Sequence, residues 1–196
     1  MVQELYLVRH GRTMFNEKRI IQGWCDAPLT TEGVEMAQRV GRYVAHEGIE
    51  FDHAYTSTLT RTQQTIECIT DLPYERVEDL REWGFGVFEG EPVILMPKFP
   101  WGDFYVQFDG EGQMQVRERV CRALGEIMER PGHERVLAVS HGSSCREFLT
   151  RWAPEAGFGQ GNVPGNCSVM CFTYENGEFA LQQIFEQDDL KAILGE

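Results

Sequence analysis

Two histidines stand in the same local setting. His10 ends the segment Leu5-Tyr6-Leu7-Val8-Arg9-His10-Gly11, and His141 ends Val136-Leu137-Ala138-Val139-Ser140-His141-Gly142. Each imidazole follows a short apolar run and precedes a glycine. Imidazole is the side chain whose ordinary pKa lies nearest neutrality, so it can attack, accept or donate a proton. The glycine lets backbone pack closely and presents amide N–H groups to an anion where a helix begins. One histidine so placed is more simply a satisfied strand end; two alike favour a shared ligand. Arg9 lies beside His10, and Arg61 opens the helix expected after a second strand. Guanidinium groups bind phosphate or carboxylate through paired hydrogen bonds and stay charged. Taken alone, each arginine is more often a surface charge or a partner for one of the 31 acids. Asn16 and Gln22, in the loop after the first run, offer neutral donors, whereas Arg12 reads as solvated. Glu82, in Leu80-Arg81-Glu82-Trp83-Gly84, supplies an acid beside an aromatic ring, where partial burial would raise its pKa toward the general-acid range. Its position alone does not separate it from Glu78 or Glu89.

The elements that must position these groups follow from periodicity. Leu5–Val8 and Val136–Val139 are continuous apolar runs, the pattern of strands buried on both faces of a parallel sheet. In such sheets ligands bind beyond the carboxyl ends of the strands. Val34, Ala37, Val40 and Val44 predict a helix from Thr30, capped by Thr30 or Thr31 and stopped at Gly48. Phe51 to Thr56 reads as a strand, with Ser57-Thr58 capping a helix that carries Leu59, Ile66 and Ile69. A further helix is expected from Gln113 to Arg130, and another after His141 bearing Cys145, Phe148, Leu149 and Trp152. Asn176-Gly177 between Val169–Tyr174 and Phe179–Ile184 signals a hairpin with a mirror-type turn. Alternating strands and helices predict an α/β fold, a three-layer sandwich with a mostly parallel central sheet flanked by helices. Residues 1–196 form one expected domain. The stretch from about 89 to 112 has neither period, contains three prolines among many aromatics, and is expected to be an irregular lid insertion.

Composition narrows the chemistry. The 196 residues carry 18 Lys and Arg against 31 Asp and Glu, a net charge of −13. That balance disfavours nucleic acid and anionic membrane as partners, since both are bound through basic patches. An anionic substrate must then meet a local basic site against the overall field. No segment approaches the roughly 18 apolar residues of a membrane span, and no export signal is evident, so a cytoplasmic protein is expected. The six cysteines are scattered, with no CxxC pair, and are expected to be reduced; no ligand cluster suggests a metal.

At this point the motifs meet a known pattern. Leu7-Val8-Arg9-His10-Gly11-Arg12-Thr13 with Asn16 resembles the signature of the histidine phosphatase superfamily, the phosphoglycerate mutase-like proteins. The similarity continues through Gln22-Gly23, Asp26, Pro28-Leu29-Thr30 and Gly33. It resumes at Ser57-Thr58-Leu59-Thr60-Arg61-Thr62, at Leu80-Arg81-Glu82 with Gly86, Phe88, Glu89 and Gly90, at Val139-Ser140-His141-Gly142, and at Asn166-Cys167-Ser168. The resemblance implies that His10 is the nucleophile that becomes phosphohistidine. It implies that Arg9, Arg61 and His141 hold the phosphate, that Asn16, Gln22, Gly23 and Gly142 complete the substrate cradle, and that Glu82 protonates the leaving oxygen. No cofactor and no metal are implied.

Two departures refine the reading. Gly110-Glu111-Gly112 lacks a serine often present before the third helix, and the lid holds a single basic residue, Lys98. Phosphoglycerate mutases of this family carry a basic cluster there, so a phosphatase acting on a small-molecule phosphate ester is expected in preference to a mutase. The aromatic lid suits an ester with an uncharged organic part, although such rings are as often a packed subdomain or dimer contact. A phospho-ligand-binding regulatory protein without turnover is the alternative of another class. A monomer or homodimer is expected.

Overall fold

The computed structural model describes residues 2–196. Six strands form one sheet: β1 (Gln3–Arg9), β2 (His53–Thr56), β3 (Tyr74–Arg76), β4 (Arg135–Ser140), β5 (Val169–Glu175) and β6 (Glu178–Phe185). The helices are α1 (Met14–Lys18), α2 (Thr31–His46), α3 (Thr60–Ile66), α4 (Gln113–Met128), α5 (Gly142–Trp152) and α6 (Gln187–Leu194). The strand order is β3-β2-β4-β1-β5-β6. The pairs β3–β2, β2–β4 and β4–β1 are parallel, and the C-terminal strands β5 and β6 are antiparallel. The expected α/β sandwich with a mostly parallel sheet is therefore what forms.

Period-two alternation divides the strand residues between two apolar layers. Leu5, Leu7, Val136, Ala138 and Phe172 pack against α4 and α5, whereas Val8, Leu137, Val139 and Val169 pack against α2, α3 and α6. Both faces are covered, which is why β1 and β4 read as unbroken hydrophobic runs. Alternation also places Arg9 on the α5 side, in phase with Leu5 and Leu7.

Local chemistry agrees with most of the expected boundaries. The Thr30 hydroxyl accepts from the Gly33 amide at 3.0 Å and starts α2, and Gly48 adopts φ +64° just beyond its end. Asn176 and Gly177 both have positive φ, 54° and 85°, as the mirror turn requires. Other elements were invisible to periodicity. The five-residue α1 is fixed by a capping box, Thr13 with Asn16, so Asn16 lies in a helix rather than in a loop. The edge strand β3 and the short α6 carry too few apolar residues to signal themselves. Ser57 and Thr58 do not cap α3; its N-cap is Leu59, without a side-chain cap bond. Between α3 and α4 the chain runs through short 3-10 turns, including Val93–Leu95 and Phe104–Phe108 within the expected lid.

Candidate active site

Sheet register brings the two histidines together. Arg9 pairs with Ser140 across the parallel strands β1 and β4, so the next residue of each strand, His10 and His141, stands at the same edge. Their rings lie 5.1 Å apart between centroids, edge to face. Beside β4, Thr56 of β2 pairs with Val139, which places Ser57 and the start of α3 at the same end.

His10 is 3% exposed. Its Nδ1 lies 2.8 Å from the Gly11 carbonyl oxygen, which can only accept, so Nδ1 carries the proton and Nε2 keeps its lone pair. Burial first, then the nearby Arg61 and Arg9 charges, push its pKa well below the usual histidine range, outweighing the bond to Gly11. The ring is therefore neutral, with a free nucleophilic nitrogen. The backbone behind it is pinned by the Asn166 side-chain amide, which donates to the His10 carbonyl at 3.0 Å.

Arg61 and His141 are completely buried. Arg61 spends four N–H groups on the protein: Nε on His141 Nδ1 (3.1 Å), Nη1 on the Cys25 carbonyl and Asp26 Oδ1 (3.0 and 3.1 Å), and Nη2 on the Gly23 carbonyl (2.7 Å). One N–H of Nη2 remains. Because Arg61 donates to its Nδ1, neutral His141 carries its proton on Nε2 and donates it to Ser57 Oγ at 2.7 Å. Burial, then the Arg61 charge, keep His141 neutral as well, with its pKa well below the usual range. Ser57 Oγ is in turn 2.9 Å from Thr62 Oγ1, which donates to the Leu59 carbonyl at 2.7 Å. Both ring nitrogens of His141 thus have protein partners in this structure: the ring orients Arg61 and supports His10 from below. Gly23 also faces Arg61, through its carbonyl, and a Cβ there would meet Glu89 Oε1 at 2.3 Å and the Trp83 carbonyl oxygen at 2.6 Å.

Reaching Arg9 and Glu82 is a cavity of about 390 Å³ whose polar lining includes Arg9, Asn16, Gln22, Glu82 and Gly142, while the buried His10, Arg61 and His141 are not among its lining residues. Arg9 donates from Nη1 to the Pro164 carbonyl, while its buried Nε has no partner among the described residues. Gly142 lets Arg9 lie close by: a Cβ there would sit 3.2 Å from Arg9 Nε, and the guanidinium would have to shift by a few tenths of an ångström. Gln22 accepts from the Thr13 hydroxyl through Oε1 at 2.7 Å and leaves a buried, unpartnered Nε2. Asn16 accepts from the Thr13 amide and from Asn166, and serves the loop as well as the cavity wall.

Glu82 is held at the N-terminus of α5. Oε2 accepts from the Ser143 amide at 3.0 Å, and Oε1 accepts from the Ser144 and Trp83 amides at 3.0 and 2.8 Å. Its carbonyl accepts from Arg119 Nη2 and Trp24 Nε1 at 2.8 and 2.9 Å, so backbone and carboxylate are both fixed. The two acids that position alone left as rivals lie elsewhere: Glu78 is exposed against Arg81, and Glu89 is occupied by the amides of Trp24, Cys25 and Phe85.

Comparison with known proteins fits this geometry. The sequence profile of the histidine phosphatase superfamily (branch 1) matches residues 5–187. The chain belongs to the histidine phosphatase superfamily. It is 36% identical over 159 residues to the probable phosphoglycerate mutase GpmB of Yersinia pestis (strain Pestoides F), covering 75% of this chain and 73% of that protein. In fold it matches a phosphoglycerate mutase from Bacillus anthracis str. Sterne, with TM-score 0.85, 24% identity and coverage of 98% and 97% of the two chains. It also matches a phosphoserine phosphatase from Entamoeba histolytica, solved with 3-phosphoglyceric acid, with TM-score 0.79, 24% identity and coverage of 96% and 99%.

The superfamily motifs left three positions unassigned that the structure brings into or beneath the site. Ser143 supplies an amide to Glu82, Ser57 fixes the His141 tautomer, and Arg146 lines the cavity from α5. The available signal was weak: polar residues on a helix that begins directly at the functional strand edge. The apolar pattern of α5 marks Cys145, Phe148 and Leu149 instead.

Proposed function

We propose that this member of the histidine phosphatase superfamily is a metal-independent phosphatase that hydrolyses a small-molecule phosphate monoester through a phosphohistidine. The observation that carries the reading is the tautomer of His10: Nδ1–H is committed to the Gly11 carbonyl, leaving neutral Nε2 as the attacking atom. In the first step Nε2 forms a bond to phosphorus as the ester P–O bond breaks. The leaving oxygen takes a proton from the Glu82 carboxyl. In the second step a water attacks phosphorus and gives its proton to Glu82. The P–N bond breaks, its electron pair returns to Nε2, and inorganic phosphate leaves.

Phosphoryl transfer places charge on the equatorial oxygens, so preorganised cations and N–H donors supply most of the stabilisation. The unpartnered Nε of Arg9, the Nε2 of Gln22 and the remaining Nη2 donor of Arg61 are suited to that task. Fixed donors in a site closed to bulk water act more strongly than the same donors in solvent.

Brief incubation with a ³²P-labelled phosphate ester followed by denaturation should leave acid-labile label on the protein, and His10→Ala should abolish it. A wild-type protein that releases phosphate without ever carrying label would refute the mechanism. The similarity to a protein named as a probable phosphoglycerate mutase favours a second reading, phosphate exchange between phosphoglycerates. That activity would be stimulated by 2,3-bisphosphoglycerate, whereas a phosphatase only releases phosphate. The single basic residue of the lid, Lys98, supports the phosphatase.

A further inference from the structure

We propose that Arg146 binds a carboxylate on the leaving group of the substrate and thereby sets the specificity of the site. The assignment rests on the phosphatase reading of the cavity and names the chemical class of its ester. Arg146 lies in α5 three residues beyond Ser143, roughly 4.5 Å along the helix axis and on the same face. The Ser143 amide holds Glu82, the proton donor to the leaving oxygen, so Arg146 stands on the leaving-group side of the cavity.

Its charge and its donors are incompletely answered by the protein. The side chain is fully buried, and only Nε has a partner, Glu147 Oε1 at 3.2 Å. The same carboxylate takes Arg117 at 2.7 and 3.0 Å and Gln113 at 3.1 and 3.3 Å. Two guanidinium groups therefore share one anion. Nη1 and Nη2 of Arg146 are buried with no partner among the described residues, an arrangement that native interiors seldom leave standing without a ligand. Aromatic rings pack against the guanidinium, Phe99 at 4.6 Å, Trp101 at 4.8 Å and Trp83 at 5.6 Å from Cζ to ring centroid. The rings cover the charge without accepting its N–H hydrogen bonds, so the edge formed by Nη1 and Nη2 still lacks an acceptor among the described residues.

The geometry of that edge selects the partner. Nη1 and Nη2 present a pair of donors matched to the two oxygens of a planar carboxylate. Arg9 and Gln22 already supply donors for one phosphoryl group in the same cavity, so Arg146 adds capacity for a second anion. An uncharged organic part, expected from lid composition alone, would leave this guanidinium unsatisfied. The lid rings Phe99 and Trp101 instead serve to cover it.

Phosphoglycolate and ethyl phosphate differ by a carboxylate in place of a methyl group, as do 3-phosphooxypropionate and propyl phosphate. Calorimetry on His10→Ala measures their binding without turnover. The carboxylated member of at least one pair should bind about 30-fold more tightly, the range of a charge-assisted bond. Adding Arg146→Met should bring the two affinities within about 3-fold of each other, and Arg146→Lys, which keeps the charge without the paired edge, should give an intermediate preference. Equal binding within both pairs overturns the proposal whether or not Arg146→Met folds, because that comparison leaves Arg146 in place. A preference that survives in a folded Arg146→Met protein also overturns it. If carboxylates are preferred but wild type forms no phosphohistidine, the hydrolytic mechanism falls and the carboxylate site stands.

Discussion

Replacing Glu82 by Gln removes proton donation while keeping the shape of the side chain and two of its three amide bonds. Gln is nearly isosteric, and its carbonyl oxygen can still accept from the Trp83 and Ser144 amides, at 2.8 and 3.0 Å in the parent. Its NH2 group would then face the Ser143 amide, donor against donor, where the carboxylate accepts at 3.0 Å. One charge-assisted hydrogen bond is lost, about 1.5–3 kcal/mol. The negative charge at the start of α5 is lost too, about 0.3–1 kcal/mol. Urea denaturation should therefore show Glu82→Gln less stable by roughly 2–4 kcal/mol. The catalytic effect depends on the ester. Ethyl phosphate has a poor leaving group that must be protonated, and kcat/KM should fall by about 10²–10⁴, the range of general acid catalysis. That range corresponds to about 3–5.5 kcal/mol of barrier. With p-nitrophenyl phosphate the phenolate departs as an anion, and the loss in kcat/KM should stay within about 10-fold because formation of the phosphoenzyme no longer calls on a proton from Glu82. Steady-state kinetics on both esters, at a temperature where both proteins are folded, makes the comparison. Equal losses for the two esters would refute the assignment of Glu82 as proton donor and reduce it to a support for α5.

Two more perturbations bear on the floor of the site. Burial and Arg61 hold the His10 pKa far below its unfolded value, so between those two values the unfolded chain binds the extra proton, and stability rises with pH through that window and falls as pH drops below about 6.5. At pH 5 the cost reaches at most about 2 kcal/mol for this one ring, the ceiling set by its unfolded pKa, and it is absent at pH 7.5. His10→Ala should accordingly shrink the stability lost between pH 7.5 and pH 5, by up to about 2 kcal/mol in chemical denaturation; an unchanged loss would show that His10 is not buried neutral. Ser57→Ala removes the acceptor of His141 Nε2–H and one partner of Thr62. It should cost about 1–2 kcal/mol of stability and lower kcat/KM about 10-fold as His141 and Arg61 lose their alignment. Full activity in a destabilised Ser57→Ala protein would show that the His141 tautomer does not matter to the reaction.

Much of this architecture could be read before any coordinates, because its signals are local. The apolar runs before His10 and His141 announce strands covered on both faces, and a ligand edge at their carboxyl ends follows from parallel pairing. Thr30, Asn176 and Gly177 act within a few residues of themselves, so their cap and turn were equally legible. The short elements α1, β3 and α6 were not, since five to eight residues or fewer carry too little periodicity to stand out. Ser57 misled for a related reason. Serine at a helix start is usually a cap, but here its hydroxyl is claimed by an imidazole 84 positions away.

The chemistry on hand was legible without the fold: two imidazoles and Arg9 at strand ends, a second arginine at a helix start, and a glutamate. Residue type and spacing decide that much, because the identity of a functional group and strand alternation do not depend on distant contacts. Tertiary structure decided which nitrogen is free and which donor is spent. The Gly11 carbonyl frees Nε2 of His10, Arg61 and Ser57 occupy both nitrogens of His141, and three backbone amides capture Glu82. The same packing leaves Nη1 and Nη2 of Arg146 buried under the lid without a partner among the described residues. Hydrogen bonds saturate, so a group's function is set by the donors or acceptors its neighbours leave unused, and those neighbours are assembled only by folding.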